Sequence, residues 1–529
     1  MEKNAMSGDQ KMLFVRESSG LVKEVGTGFA LLLPIALTLG PWFHYGGVYI
    51  STWYPGAHIT AMFAIGSFTV FFEALALMCL MLSMPRSGAS YYFTGRGLSP
   101  IFGVMEGWRS VITNPVFRGT GSFFAVQVFV GGLTVVGAAT GDAFVQGLAV
   151  TLSAPIPLCL TAIAMILVGF VFSYMSVKWL GWFVIILGLI NILALVVADV
   201  VMLATPNAQL QGIWDTVFGA GAYAGVVTAG GNISAYTTFS WTAVGPALIL
   251  TVGMMWPYLI MPVAGEVAQP SKNIPLSNIG GWAGIAFFFL LSGFALESMM
   301  GTFLYSNNLA AYSATAGSVF PGFGNFAAVV LAAQGSPLVY FVILCPIYAS
   351  VLDSPSNALW VTRPFHSMAM DRFCPAAFAN VHPKYHVPHV SLWFWLILTI
   401  ATTVYATILQ VVTGTGLSAL VGVGFTYVFI RWQMALAAVS LPYYRPTLWE
   451  RSGGWMVPGL KVPLISFGGL ISGAIFFYAM IAFQATAVYE ILFTVIVYVW
   501  GQIMYLYYGA KNKAKGIELG AIFGQLPPE

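Results

Sequence analysis

Among the ionisable side chains inside long apolar runs are Glu73, Glu106, Arg109, Arg118, Glu297, Asp353 and Arg431. A charge at membrane depth costs about 3 kcal/mol on insertion scales, so each such residue marks either a structural ion pair or a working site. Glu106 and Arg109 are three residues apart and share a helix face. Glu73 lies at a similar depth to Arg109, which makes these two expected partners. With Arg118 they form an expected intramembrane charge cluster (Glu73, Glu106, Arg109, Arg118) that either ties helices together or serves a site. Arg118 follows Asn114-Pro115; it answers an acidic partner, answers carbonyls freed by the proline, or faces a cavity. Glu297 has no obvious partner, and Arg431 is expected to snorkel toward an interface. Asp353 lies in Ser350-Val351-Leu352-Asp353-Ser354-Pro355-Ser356. Its carboxylate with Ser350, Ser354 and nearby carbonyls offers the oxygen ligands a hard cation wants, or a place for a proton. A bland role, capping the helix broken at Pro355 or pairing with a neighbour, stands beside that one.

Two apolar runs are interrupted in matching ways. The first reads Thr38-Leu39-Gly40-Pro41-Trp42, and another about two hundred residues later reads Gly253-Met254-Met255-Trp256-Pro257-Tyr258. An interior proline removes a backbone bond and clashes with the preceding turn, leaving carbonyls free. Each motif alone reads as a kink or as a true break. Such breaks, matched between two halves of a chain, hold small solutes at the midplane of inverted-repeat transporters. Thr38, Gly40, Pro41, Gly253, Trp256, Pro257 and Tyr258 are therefore the expected solute-binding residues, with Trp256 stacking on or gating the solute.

Other chemistries find little support. His382, His386 and His389 have ligand-like spacing, but Pro383 and Pro388 break the segment, and no metal or other cofactor is expected. The four cysteines are widely scattered, mostly in apolar runs, and suggest neither disulfides nor a metal knuckle. Gly26-Thr27-Gly28 opens no strand–helix unit, so it is not a nucleotide loop. No catalytic constellation stands out, and the net charge of +3 is too small to suggest nucleic acid.

The elements that must position these residues are membrane helices. Charged residues are 7% of the 529, against roughly 25% in a soluble domain. About 20 apolar residues cross a hydrocarbon core of about 30 Å. Spans are expected near 27–50, 57–83, 101–137, 154–175, 179–204, 241–263, 278–304, 336–361, 389–412, 414–441, 463–485 and 488–509. All of the 20 Lys and Arg except Arg109, Arg118 and Arg431 then fall in segments on one side. By the positive-inside rule that side is cytoplasmic, and both termini lie there. No cleavable signal peptide is expected. The outer stretches 205–240 and 305–335 are nearly uncharged and are expected to pack as lids or re-entrant pieces. The expected division is 1–26 cytoplasmic segment, 27–204 first repeat, 205–240 outer segment, 241–441 second repeat, 442–462 cytoplasmic loop, 463–509 last two helices and 510–529 tail.

The loops are more specific. Ser19-Gly20-Leu21-Val22-Lys23-Glu24 precedes the first span, and Met84-Pro85-Arg86-Ser87-Gly88-Ala89-Ser90-Tyr91-Tyr92 follows the second. Ala264-Gly265-Glu266-Val267 with Pro270, Lys272, Asn273, Ile274 and Pro275 follows the sixth. Arg363, Ala369-Met370-Asp371-Arg372 and Pro375 follow the eighth. In type, order and placement these resemble the loop motifs of amino acid–polyamine–organocation superfamily permeases, over about residues 16–445. The resemblance implies two inverted five-helix repeats plus two extra helices. It also implies transport of an amino acid or related amine across the plasma membrane, coupled to protons or sodium or run as exchange. If transport is coupled, the residues' own chemistry makes Asp353, Ser350 and Ser354 the expected ion-coupling residues. The family's glycine-rich first break here ends in Pro41, which has no N–H, and the second carries Trp256-Pro257-Tyr258 in place of the usual glycine-aromatic-acid run. The lysine often found midway along the fifth span in proton-coupled members is absent from Leu187-Gly188-Leu189-Ile190-Asn191. A second expectation is a membrane subunit or sensor of the same fold that does not transport and acts through a protein partner.

Overall fold

The computed structural model describes residues 14–39, 53–312, 324–413, 424–483 and 488–528. Among them, nine helices are long and apolar enough to cross a membrane. In chain order with three others they are α1 (Thr27–Thr38), α2 (Ile59–Ser83), α3 (Pro100–Thr140), α4 (Pro155–Tyr174), α5 (Val177–Ala204) and α6 (Trp241–Gly253). They continue as α7 (Pro270–Met300), α8 (Leu338–Met370), α9 (His389–Val412), α10 (Gly424–Tyr444), α11 (Leu464–Phe483) and α12 (Val488–Ala514). The chain is an all-α, multi-pass membrane protein. The three that fall short as spans have visible reasons: α1 and α6 stop at the interruptions, and α10 carries Arg431 and Gln433.

Lipid-facing and buried faces separate as the helical period demands. On α5, Trp179, Trp182, Ile186, Leu189, Leu193 and Val200 are exposed, while Leu180, Val184, Gly188, Asn191, Leu195 and Ala198 are buried. With no water in the bilayer to meet backbone groups, each helix satisfies its own.

The neighbours reveal an internal two-fold. α3 packs on α9 as α8 packs on α4; α1 packs on α7 as α6 packs on α2; α1 packs on α5 as α6 packs on α10; and α2 packs on α10 as α7 packs on α5. α3 with α8, and α2 with α7, pair directly. Exchanging each helix with the one five places later maps these pairs onto one another, as two related five-helix units would. Five is odd, so the second unit crosses in the opposite sense. α11 packs on α2, α6 and α10, and α12 on α3, outside this exchange.

The 205–240 segment folds as a compact cap. In 205–240 the short helices Asn207–Phe218 and Ala222–Gly230 are held by Asn207, whose Nδ2 donates to the Met300 carbonyl (2.8 Å) and the Tyr223 hydroxyl (3.0 Å). Tyr223 stacks on Phe303 with ring centroids 3.9 Å apart. Glu297 has a partner after all. Its carboxylate accepts from the Ile59 N–H (3.0 Å), the Thr60 N–H (3.4 Å) and the Thr60 hydroxyl (2.6 Å), capping the start of α2 from α7. An anionic acceptor suits the positive end of a helix and its orphan N–H groups.

Candidate functional site

A central cavity lies between α3, α8, α10 and the chain just past α6. It holds about 500 Å³ of space between atoms, its mouth included. The unwound segment after Gly253 supplies Trp256, Tyr258 and Leu259; α3 supplies Arg109, Asn114 and Phe117. From α8 come Asp353, Ser356, Asn357 and Trp360, and from α10 Tyr427, Ile430 and Met434. Phe117 meets the edges of both Trp256 (5.7 Å) and Tyr427 (5.5 Å), and Tyr258 meets Trp360 (6.0 Å). The Tyr427 hydroxyl donates to Asn114 Oδ1 at 2.8 Å.

Three buried ion pairs surround this space. Arg109 grips Glu106 by two bonds, Nε to Oε2 at 2.8 Å and Nη2 to Oε1 at 2.5 Å. Its Nη1 is buried and has no hydrogen-bond partner. Arg118 donates to Asp353 Oδ2, to Ser350 Oγ (2.5 Å) and to Ser122 Oγ (2.6 Å). Arg431 grips Glu73 by two bonds. Two sequence expectations are thereby corrected: Glu73 pairs with Arg431 rather than Arg109, and Arg431 does not snorkel but is 1% exposed. The pairing changes because α2 packs on α10 and α11, and Glu73 faces α10.

The α6 break is real but not vacant. α6 ends at Gly253, and the chain through Met254–Ile260 is not helical. A Cβ at Gly253 would meet no atom within 4 Å. Two carbonyls at this break accept from Arg431, which donates to Val252 and, at 3.3 Å, to Met255. At the end of α1 the Ala36 and Leu39 carbonyls are met by the Asn191 amide of α5, at 3.0 and 3.4 Å. Donors from within the protein thus reach carbonyls at the α6 break and at the end of the described part of α1. Replacing Asn191 by Leu leaves two buried carbonyls short, at about 1–3 kcal/mol. The expected result is a lower melting temperature in detergent with folding retained; unchanged melting would mean that water or another group serves these carbonyls.

The loop motifs meet at the end of the bundle where the basic loops gather. Arg363 at the end of α8 holds Glu266 by two bonds (3.0 and 2.8 Å), and the Ser87 hydroxyl donates to the same carboxylate at 2.9 Å. Ser367 Oγ donates to the Ser87 carbonyl at 2.6 Å, and Gly88 N–H to the Pro262 carbonyl at 3.1 Å. Gly88 has φ +120°, and a Cβ there would lie 1.9 Å from Ser367 Oγ, so no larger residue fits. Beside it Arg96 pairs with Asp371 at 2.7 Å. The last helix, Leu519–Gly524, lies against this layer: Arg96 covers the Phe523 ring at 4.7 Å, and Arg86 Nε donates to the Pro527 carbonyl at 2.9 Å. Together these residues close that end.

Of the residues named from sequence, Trp256, Tyr258, Arg109 and Asp353 line the cavity. Gly253 and Pro257 frame the break without lining it, and Thr38 ends α1, its buried hydroxyl without a hydrogen-bond partner. Gly40 and Pro41 lie outside the described residues. Ser350 and Ser354 sit behind Asp353: Ser350 accepts from Arg118, and Ser354 Oγ donates to the Ser350 carbonyl at 3.2 Å. Phe117, Asn357, Trp360 and Tyr427 were missed, since an aromatic or an amide in an apolar run looks like packing until its neighbours are known. His382 accepts from two local backbone N–H groups (3.2 and 3.3 Å), and among the described residues no three His, Cys, Asp or Glu cluster as metal ligands.

The sequence pattern of the amino acid permease family matches residues 46–515, from the segment before α2 to the end of α12. That span holds the cavity, the five buried ion pairs described above and three of the four loop motifs. The chain belongs to the amino acid permease family, within the amino acid–polyamine–organocation superfamily.

Proposed function

We propose that the chain is a secondary transporter that moves amino acids across the plasma membrane by alternating access, both termini being cytoplasmic. The supporting observation is the central cavity, walled by the unwound segment after α6 and by α3, α8 and α10, above a layer of ion-paired loops. Solute binds there against Trp256 and Tyr258, and the Glu266–Arg363–Ser87 layer opens to release it. The distribution of basic residues supports this orientation.

Coupling runs through Asp353. The ligands that a sodium ion would need, Asp353 and Ser350, are engaged by the Arg118 guanidinium, so a fixed cation stands in that position. A proton remains as the coupling ion: protonated Asp353 releases Arg118 and changes the packing of α3 on α8. The sensor alternative lacks a comparable feature, since it needs no internal cavity.

Reconstitution into liposomes tests the reading. Labelled amino acid should accumulate under an inward proton gradient and not under a sodium gradient. Asp353→Asn should abolish accumulation while leaving solute-for-solute exchange, and Trp256→Ala should change KM with folding intact. Absence of uptake and exchange of any amino acid by the wild-type protein would turn the assignment toward the sensor.

A further inference from the structure

The stretch 519–528 carries no charge and follows Lys511, Lys513 and Lys515. Its helix, Leu519–Gly524, is six residues long, too short to persist by itself in water. The surface beneath must hold it, and the contacts are specific. Ile522 and Phe523 are buried. The Phe523 ring centroid lies 5.4 Å from that of Phe373 and 6.3 Å from that of Tyr91, with the Arg96 guanidinium 4.7 Å away over its face. While paired with Asp371, Arg96 also donates through Nη2 to the Gln525 carbonyl (3.3 Å) and the Ile522 carbonyl (3.4 Å). Gly95 makes room for the ring, since a Cβ there would lie 3.1 Å from Phe523 Cε1. Farther along, the Pro527 carbonyl accepts from Arg86 Nε at 2.9 Å.

We infer that 519–528 is a built-in latch: docked, it holds the basic end of the protein shut, and undocked it lets that end open. The permease reading supplies only the idea that this end opens. The seam that parts there runs between Glu266 on one side and Ser87 with Arg363 on the other. The two sides touch closely, for a Cβ at Gly265 would lie 2.7 Å from the Ser87 N. A second cavity, about 420 Å³ between atoms with its mouth included, lies on that seam. Lys23, before α1, and Gly265, past α6, wall it from one side; Ser87, after α2, and His366, on α8, wall it from the other. Pro527 and Pro528 complete the wall. The segment is thus anchored on the Arg86 and Arg96 side, while its tip reaches the Lys23 and Gly265 side. Parting the seam costs the contacts of that tip, so docking favours the closed form over the open one. Two prolines suit the tip, because their fixed φ keeps it stiff and they bring no N–H that needs a partner. Such a short element, held by two apolar side chains and two arginines, can leave as a unit while the bundle stays folded. It does not line the central cavity, so it acts on opening and not on the solute.

The test ends the chain at Ile517 and places a cysteine at Ser356, in the central cavity wall, in a background without the native cysteines. The readout is alkylation of that cysteine by a membrane-impermeant maleimide applied from the side bearing the basic loops. Truncation should speed it by about tenfold or more. Phe523→Ala, in the untruncated chain, should act in the same direction with a smaller effect. A synthetic peptide of residues 518–529, applied from the same side, should slow the truncated protein again, and a scrambled peptide should not. A bundle merely damaged by truncation would gain nothing from the peptide. The inference falls if truncation leaves the rate unchanged where Glu266→Gln raises it, or if the peptide does not slow the truncated protein. Should truncation prevent folding, Phe523→Ala decides, and an unchanged rate there overturns the latch. If neither truncation nor Glu266→Gln changes the rate, this end does not open, and the latch and the permease gating fall together. Peptide-reversed opening in a protein that neither takes up nor exchanges any amino acid keeps the latch and sinks the permease reading.

Discussion

Glu73→Gln is expected to be the most damaging single substitution in the protein, costing about 3–5 kcal/mol of stability. The carboxylate and the Arg431 guanidinium are almost fully buried, and two hydrogen bonds join them. Arg431 also closes the backbone at the α6 break through the Val252 and Met255 carbonyls, with its guanidinium 5.3 Å from the Tyr258 ring. Removing the negative charge leaves a cation in the core with only dipoles around it. The double replacement Glu73→Leu with Arg431→Met removes both charges and should recover part of the loss, not all, because the two carbonyls then lack donors. Thermal unfolding in detergent, followed by size-exclusion chromatography, reads both effects. Glu73→Gln within about 0.5 kcal/mol of the parent would show that the pair contributes no more than a surface contact.

Glu266→Gln is expected to open the closed end of the molecule. Its carboxylate joins three elements: Ser87 after α2, the chain after α6, and Arg363 on α8. Hydrogen bonds to a charged group are worth about 1.5–3 kcal/mol, so losing their charge shifts the closed-to-open ratio roughly 10- to 100-fold. A cysteine at Ser356, in the cavity wall, reports the change in a background without the native cysteines. Its alkylation by a membrane-impermeant maleimide, applied from the side bearing the basic loops, should accelerate by that factor. An unchanged rate would mean that the layer holds the fold without gating it. Because Glu266 does not line the cavity, amino acid affinity should move far less than the alkylation rate.

The sequence by itself determined that the chain is a bundle of membrane helices. Charge is so scarce, and so one-sided in the loops, that no other arrangement satisfies both backbone and side chains. Local chemistry also marked an interruption at Gly253 and Pro257, as a kink or a break, and the structure shows a break after Gly253. The i, i+3 pair of Glu106 and Arg109 was equally legible, because both partners lie on one helix. The spacing of Gly88 and Glu266 in the loops gave the family but not their joint work. Which distant charges meet was decided only by the tertiary structure. Depth along a helix follows from counting residues, but the direction a side chain faces depends on how the helices are rotated and which neighbours they choose. Depth therefore paired Glu73 with Arg109, whereas packing of α2 on α10 pairs it with Arg431, 358 residues away. The same packing brings Arg118 to Asp353, 235 residues distant, and Asn191 to the end of α1. Buried charges must find partners wherever the fold supplies them, and that supply is set by packing geometry, which a linear pattern does not encode.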